Sequence, residues 1–170
     1  DAQESRGLGD VYKRQIIEYI PTEIIMNIEQ LQEMWAVDCQ IDDDRLDKEA
    51  VRTPNLHSKY LNVLIANKLK LAKVKADYNT LRQAKFRYYR GEMGKQELED
   101  YGWGQWQGAK PLKNEMDEFL SGDADLNKEY VKMEYVSAIV TFCESILGQI
   151  KSRDFQIKGA IDWKKFISGA

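Results

Sequence analysis

Residues 53–91, TPNLHSKYLNVLIANKLKLAKVKADYNTLRQAKFRYYRG, hold no glycine or proline between Pro54 and Gly91. With Thr53 suited to an N-cap, Pro54 to the first helical position and Gly91 to a left-handed stop, this stretch predicts one long helix. At 1.5 Å per residue it would span roughly 55 Å, too long for the interior of a small globular core, so it must lie lengthwise against other helices. Tyr60, Leu64, Asn67, Leu71, Val74, Tyr78, Leu81, Lys85 and Tyr88 alternate spacings of four and three. That is the seam of a bundle or coiled coil, with polar interruptions at Asn67 and Lys85. The expected fold is all-α: a long central helix packed with shorter helices, and C-terminal amphipathic helices forming a homo-oligomer.

The same stretch segregates charge. Lys59, Lys68, Lys70, Lys73, Lys75, Arg82, Lys85, Arg87 and Arg90 face a single acid, Asp77, in a chain whose formal net charge is −3. Cations concentrated on one element, with Tyr78, Phe86, Tyr88 and Tyr89 interleaved, suit a nucleic-acid surface. A solvated lysine-rich face is the alternative. The candidate DNA contacts are Lys68, Lys75, Arg82, Lys85, Arg87, Tyr89 and Arg90.

Other chemistries find little support. Cys39 and Cys143 are far apart and lack CxxC spacing, which reads as two reduced thiols rather than a disulfide or zinc site. His57 is the only histidine and has no ligand-spaced neighbour. Asp42, Asp43 and Asp44 could suggest a cation, but neighbours in a row point in different directions on a helix. Capping is the expectation there. No catalytic set, metal or cofactor is expected, and no run of 18 apolar residues suggests a membrane span.

Along the chain, residues 10–15, DVYKRQ, read as an in-frame translation of a transposon-end sequencing adaptor, and residues 1–25 as read-through or leader expected to be disordered. Residues 26–170 are expected to form a single helical domain, with a natural start at Met26. Within it, MNIEQLQEMWAVD predicts a short amphipathic helix, and a second short helical stretch follows the aspartates. Residues 92–125 hold a glycine-rich loop with Trp103 and Trp106, then a short helix ending near Gly122. The tryptophans could stack on unpaired bases or staple the loop to the helices, and packing is expected for at least one. Asp125 or Asn127 is expected to cap the next helix, whose apolar stripe is broader than a two-helix seam needs and ends near Lys151 and Arg153. A last amphipathic helix closes the chain. Tyr135, Ile139, Phe142, Ile146, Ile150, Phe155 and Ile157 are the candidate oligomerisation residues in this region.

LHSKYL at 56–61, FRYYRGE at 86–92, GDADLNK at 122–128 and IKSRDFQIK at 150–158 together resemble the UvsY family, the recombination mediators of T4-like phages. The resemblance runs from residue 26 to 170, and the longer loop with Trp103 and Trp106 is more like the cyanophage members. It implies a non-enzymatic protein of the infected bacterial host's cytoplasm that binds single-stranded DNA and forms a ring of six or seven copies. It further implies partners: a RecA-like phage recombinase, loaded onto DNA covered by the phage single-strand-binding protein. The family's Lys-x-Arg pair before Tyr-Tyr falls here on Gln83 and Lys85, with Arg82 and Arg87 placed to supply the missing charge. A helical scaffold or interaction adaptor with no DNA role is the rival expectation.

Overall fold

The computed structural model describes residues 27–169, so the adaptor-like segment and leader lie outside the described residues. Five helices run through these residues: α1 (Ile28–Asp38), α2 (Leu46–Tyr89), α3 (Lys95–Tyr101), α4 (Met116–Gly122) and α5 (Ala124–Ser168). They divide into two compact units, one ending at Gln40 and the other beginning at Ile41. In the first unit, α1 starts with a reciprocal cap. Asn27 Oδ1 accepts the Gln30 N–H at 2.7 Å and the Asn27 N–H reaches Gln30 Oε1 at 3.1 Å, satisfying two otherwise orphaned donors.

In the second unit, α2 and α5 lie antiparallel along one another. Their direction follows from the pairs that join them, Glu49 with Arg153, Lys68 with Glu144, and Lys85 with Asp125. These helices have 44 and 45 residues, about 66 Å each. The predicted seam faces inward: Tyr60, Leu64, Asn67 and Lys85 are buried, while Leu71, Val74, Tyr78, Leu81 and Tyr88 are half-buried. From α5, Val136, Ile139, Val140, Cys143, Ile146, Leu147, Ile150 and Ile157 complete the core. Gly91 stops α2 as expected. At φ 68° it lets its own N–H reach Tyr88 O and the Glu92 N–H reach Arg87 O, both at 2.9 Å, a Schellman closure.

Three boundaries differ from the sequence expectation. The stretch after the aspartates is no separate helix: α2 begins at Leu46 and runs through Pro54. An interior proline costs about 3 kcal/mol. The turns before it are held from afar, by burial of Leu46 and by the buried Glu49–Arg153 ion pair. Thr53 does not cap; its hydroxyl bonds back to Glu49 O at 3.4 Å. Arg153 consequently sits inside α5 rather than at its end, and α5 continues unbroken to Ser168. Its far end is tied by Lys164 to Asp43, through both the backbone carbonyl and the carboxylate. Finally, Asp123, not Asp125 or Asn127, is the N-cap of α5, accepting the N–H groups of Asp125 and Leu126 at 3.0 Å each. Asp42 Oδ1 accepts the Asp44 N–H at 3.0 Å, a local turn rather than a helix cap.

Candidate nucleic-acid interface

Lys68, Lys75, Arg82 and Arg90 recur along α2 and its C-cap in steps of seven or eight residues and are all exposed. Since two turns take 7.2 residues, the four lie on one flank, about a quarter-turn round from the buried seam. The flank follows from the sequence pattern itself: once the four-three series is committed to α5, the cations between its members must face water. Arg87 is exposed further round the same helix, and Arg82 and Arg87 share a depression of about 500 Å³ with Asn79, Gln83 and Phe86.

Carboxylates already hold most of these cations. Arg82 Nη2 meets Asp117 Oδ1 at 2.9 Å, Lys68 Nζ meets Glu144 Oε1 at 2.7 Å, and Arg90 Nε meets Glu92 Oε1 at 2.7 Å. Arg87 grips Glu97 with both terminal nitrogens, at 2.8 and 3.0 Å. Hydrogen bonds from Arg87 and from the Gly94 backbone hold the Glu97 carboxyl below its usual range, and the pair raises the Arg87 guanidinium further. Exposed pairs of this kind are screened and easily exchanged. Lys70, Lys73 and Lys75 engage no carboxylate among the described residues.

Lys85 and Tyr89 require correction, because the structure turns both inward. Lys85 is 5% exposed, with Nζ 2.6 Å from Asp125 Oδ2, 3.0 Å from Asp123 Oδ2 and 4.1 Å from the centre of the Trp103 ring. The Tyr89 hydroxyl donates to Asp123 Oδ2 at 2.7 Å. Burial works to raise the pKa of Asp123, but the Leu126 N–H, Tyr89 and Lys85 outweigh it and hold the carboxyl below its ordinary range. Burial first, and then the bond to Asp123, push the Tyr89 phenol well above its ordinary value. A seam position must be filled by whatever residue occupies it, and the N-cap carboxylate of α5 is what makes a lysine tolerable there.

The tryptophans close this junction. Trp106 meets Tyr89 edge-on at 4.9 Å, and its Nε1–H donates to Ala109 O at 3.1 Å. Gly108 permits the fold-back, because a β-carbon there would stand 2.3 Å from the indole ring. Trp103 lies 5.2 Å from Tyr88 and stacks on Tyr101 at 4.4 Å. Both therefore staple the loop to α2.

The candidate assembly residues also separate. Ile139, Ile146, Ile150 and Ile157 are buried in the seam with α2, and Phe142 is half-buried. Only Tyr135 and Phe155, the latter 81% exposed, present themselves to a neighbour. Phe166, an apolar residue of the last amphipathic helix, joins them, as do Trp163 and Ile167; all three are exposed. The Trp163 and Phe166 rings stack at 5.7 Å. No described helix is long and apolar enough to cross a membrane. Among the described residues, no cluster of His, Cys, Asp and Glu could hold a metal ion.

Comparison with known proteins agrees with this architecture. The model of a family described as "Recombination, repair and ssDNA binding protein UvsY" matches residues 34–170. The recombination protein uvsY of Enterobacteria phage T4 is 31% identical over 144 residues, covering 85% of this chain and 99% of that protein. A crystal structure of the bacteriophage T4 recombination mediator protein UvsY superposes with a TM-score of 0.73 at 31% identity, covering 84% of this chain and 98% of that one. In a second lattice the same protein gives 0.71 at 30% identity, covering 83% and 99%. A family model spanning four-fifths of the sequence, a relative 31% identical over most of its length and a matching overall fold place this chain in the UvsY family of recombination, repair and single-stranded-DNA-binding proteins.

Proposed function

We propose that this chain acts, without catalysis, as a recombination mediator that grips single-stranded DNA along the exposed flank of α2. Lys68, Lys75, Arg82, Arg87 and Arg90 are the phosphate contacts; Lys85 and Tyr89 hold the fold that presents them. The exposed apolar residues of α5, Tyr135, Phe155, Trp163, Phe166 and Ile167, assemble copies of the 26–170 unit into a homo-oligomeric ring. Multiplying a weak cationic flank around a ring raises affinity by avidity. In the cytoplasm of the infected host, the assembly helps load a RecA-like phage recombinase onto DNA coated by the single-strand-binding protein. The observation that carries the DNA-binding part is segregation: within an acidic chain, residues 59–90 set nine cations against the single acid Asp77, and Lys68, Lys75, Arg82, Arg87 and Arg90 among them are exposed.

Fluorescence anisotropy with a labelled oligo-dT and with a duplex of equal length, combined with light scattering for mass, tests this. Strong binding to the single strand by an assembly of several copies is expected. A monomer indifferent to oligo-dT would instead favour the scaffold or adaptor alternative.

A further inference from the structure

Phe86 stands where the interior requires nothing of it. It lies on the outer flank of α2, four residues after Arg82 and four before Arg90, and is 39% exposed. Among the described residues it meets no other aromatic ring. The Arg90 guanidinium lies over its ring, 5.5 Å from the ring centre. Every other aromatic near this end of α2 is engaged: Tyr88, Tyr89, Trp103 and Trp106 pack on one another, and Tyr101 covers Trp103. The ring also borders the depression of about 500 Å³ whose remaining wall is Asn79, Arg82, Gln83 and Arg87.

Resting on the single-strand-binding function proposed above, we infer that this depression is a seat for one unstacked nucleobase, with Phe86 as its stacking platform. The chemistry is complementary on three sides. The ring offers an apolar face of the kind every base can stack on, and Arg90 over the ring adds a cation to the same platform. The amides of Asn79 and Gln83 each supply a donor and an acceptor, which suits the polar edge of a base without selecting one. Arg82 and Arg87 flank the seat and take the adjoining phosphates, exchanging Asp117 and Glu97 for them. A base inside a duplex has both faces occupied by its neighbours, so the seat admits only unpaired DNA. Phosphate contacts alone would not discriminate in this way.

The test compares oligo-dT with an abasic oligomer of the same length and charge, on the full chain, for wild type, Phe86→Leu and Phe86→Trp. Stacking on an aromatic is worth about 5- to 150-fold per base. Wild type should bind oligo-dT at least about fivefold more tightly than the abasic strand. Phe86→Leu should lose that margin on oligo-dT while leaving abasic binding, the salt dependence and the urea midpoint unchanged, and Phe86→Trp should restore it. Equal affinity of wild type for both oligomers would overturn the nucleobase seat and leave phosphate binding intact. A margin that survives in Phe86→Leu would overturn Phe86 as the platform. Failure of wild type to bind either oligomer would overturn the seat together with the single-strand-binding function.

Discussion

Replacing Lys85 by alanine separates two roles that a lysine on a basic helix could have. In the structure the side chain is 7% exposed and is shared between Asp123, 5% exposed, and Asp125, 55% exposed. Removing one partner of a buried ion pair typically costs about 3–5 kcal/mol, because the other charge is left uncompensated. Asp123 would keep three hydrogen bonds, from Tyr89 and from the backbone of Asp125 and Leu126. Asp125 would be rehydrated. Both reduce the loss, to about 2–4 kcal/mol. With a urea m-value of about 2 kcal/mol/M, the unfolding midpoint of Lys85→Ala should fall by roughly 1–2 M, while single-strand affinity of the folded variant and its salt slope stay as in wild type. Lys85→Ala combined with Asp123→Asn should be less than additive, with a coupling of about 1–3 kcal/mol. A variant that unfolds at the wild-type midpoint yet loses DNA affinity, with a shallower salt slope, would refute the inward placement and make Lys85 a phosphate contact.

Three further outcomes follow from the geometry. Glu97→Gln and Asp117→Asn release Arg87 and Arg82 from competing carboxylates, so both should bind oligo-dT a few-fold more tightly by anisotropy; weaker binding would contradict the exchange. Phe155→Asp with Phe166→Asp should lower the mass measured by sedimentation while leaving the helical circular dichroism intact, whereas Ile146→Asp, buried in the seam, should destabilise the chain by several kcal/mol. For pH, the lowered carboxyl of Asp123 contributes stability that is present above about pH 4 and lost as pH falls through its depressed folded value. The raised phenol of Tyr89 contributes stability present below about pH 10 and lost as pH climbs towards its folded value. Urea midpoints measured against pH should therefore fall at both extremes, less steeply in Asp123→Asn on the acid side and in Tyr89→Phe on the alkaline side.

Much of the second unit is written locally. The four-three spacing from Tyr60 to Tyr88 is a property of the chain, and an inward seam leaves its intervening cations no place but the surface. Gly91 was readable because glycine alone takes the left-handed turn cheaply. What escaped depended on residues remote in sequence. Thr53-Pro54 is a sound helix start by local rules, and burial of Leu46 together with Glu49 meeting Arg153, 104 residues away, explains why the helix begins earlier. Lys85 was visible as a polar break in the seam, but its partners Asp123 and Asp125 enter from α5 and its cap. The broad stripe of α5 marked Ile139, Ile146, Ile150 and Ile157 as apolar without saying whether α2 or another copy covers them. In the structure α2 does. Trp103 and Trp106 were left between stacking and stapling until their tyrosine neighbours were placed.

The salt dependence of binding tests the cationic flank most directly. Log affinity for oligo-dT against log salt concentration should have a slope of about −0.7 per phosphate neutralised. For Lys75→Ala, Arg82→Ala, Arg87→Ala and Arg90→Ala combined, the slope should become shallower by up to about 0.7 for each phosphate that a protomer no longer neutralises, with the fold and assembly mass preserved. A combined variant whose slope and affinity match those of wild type would show that DNA is held elsewhere.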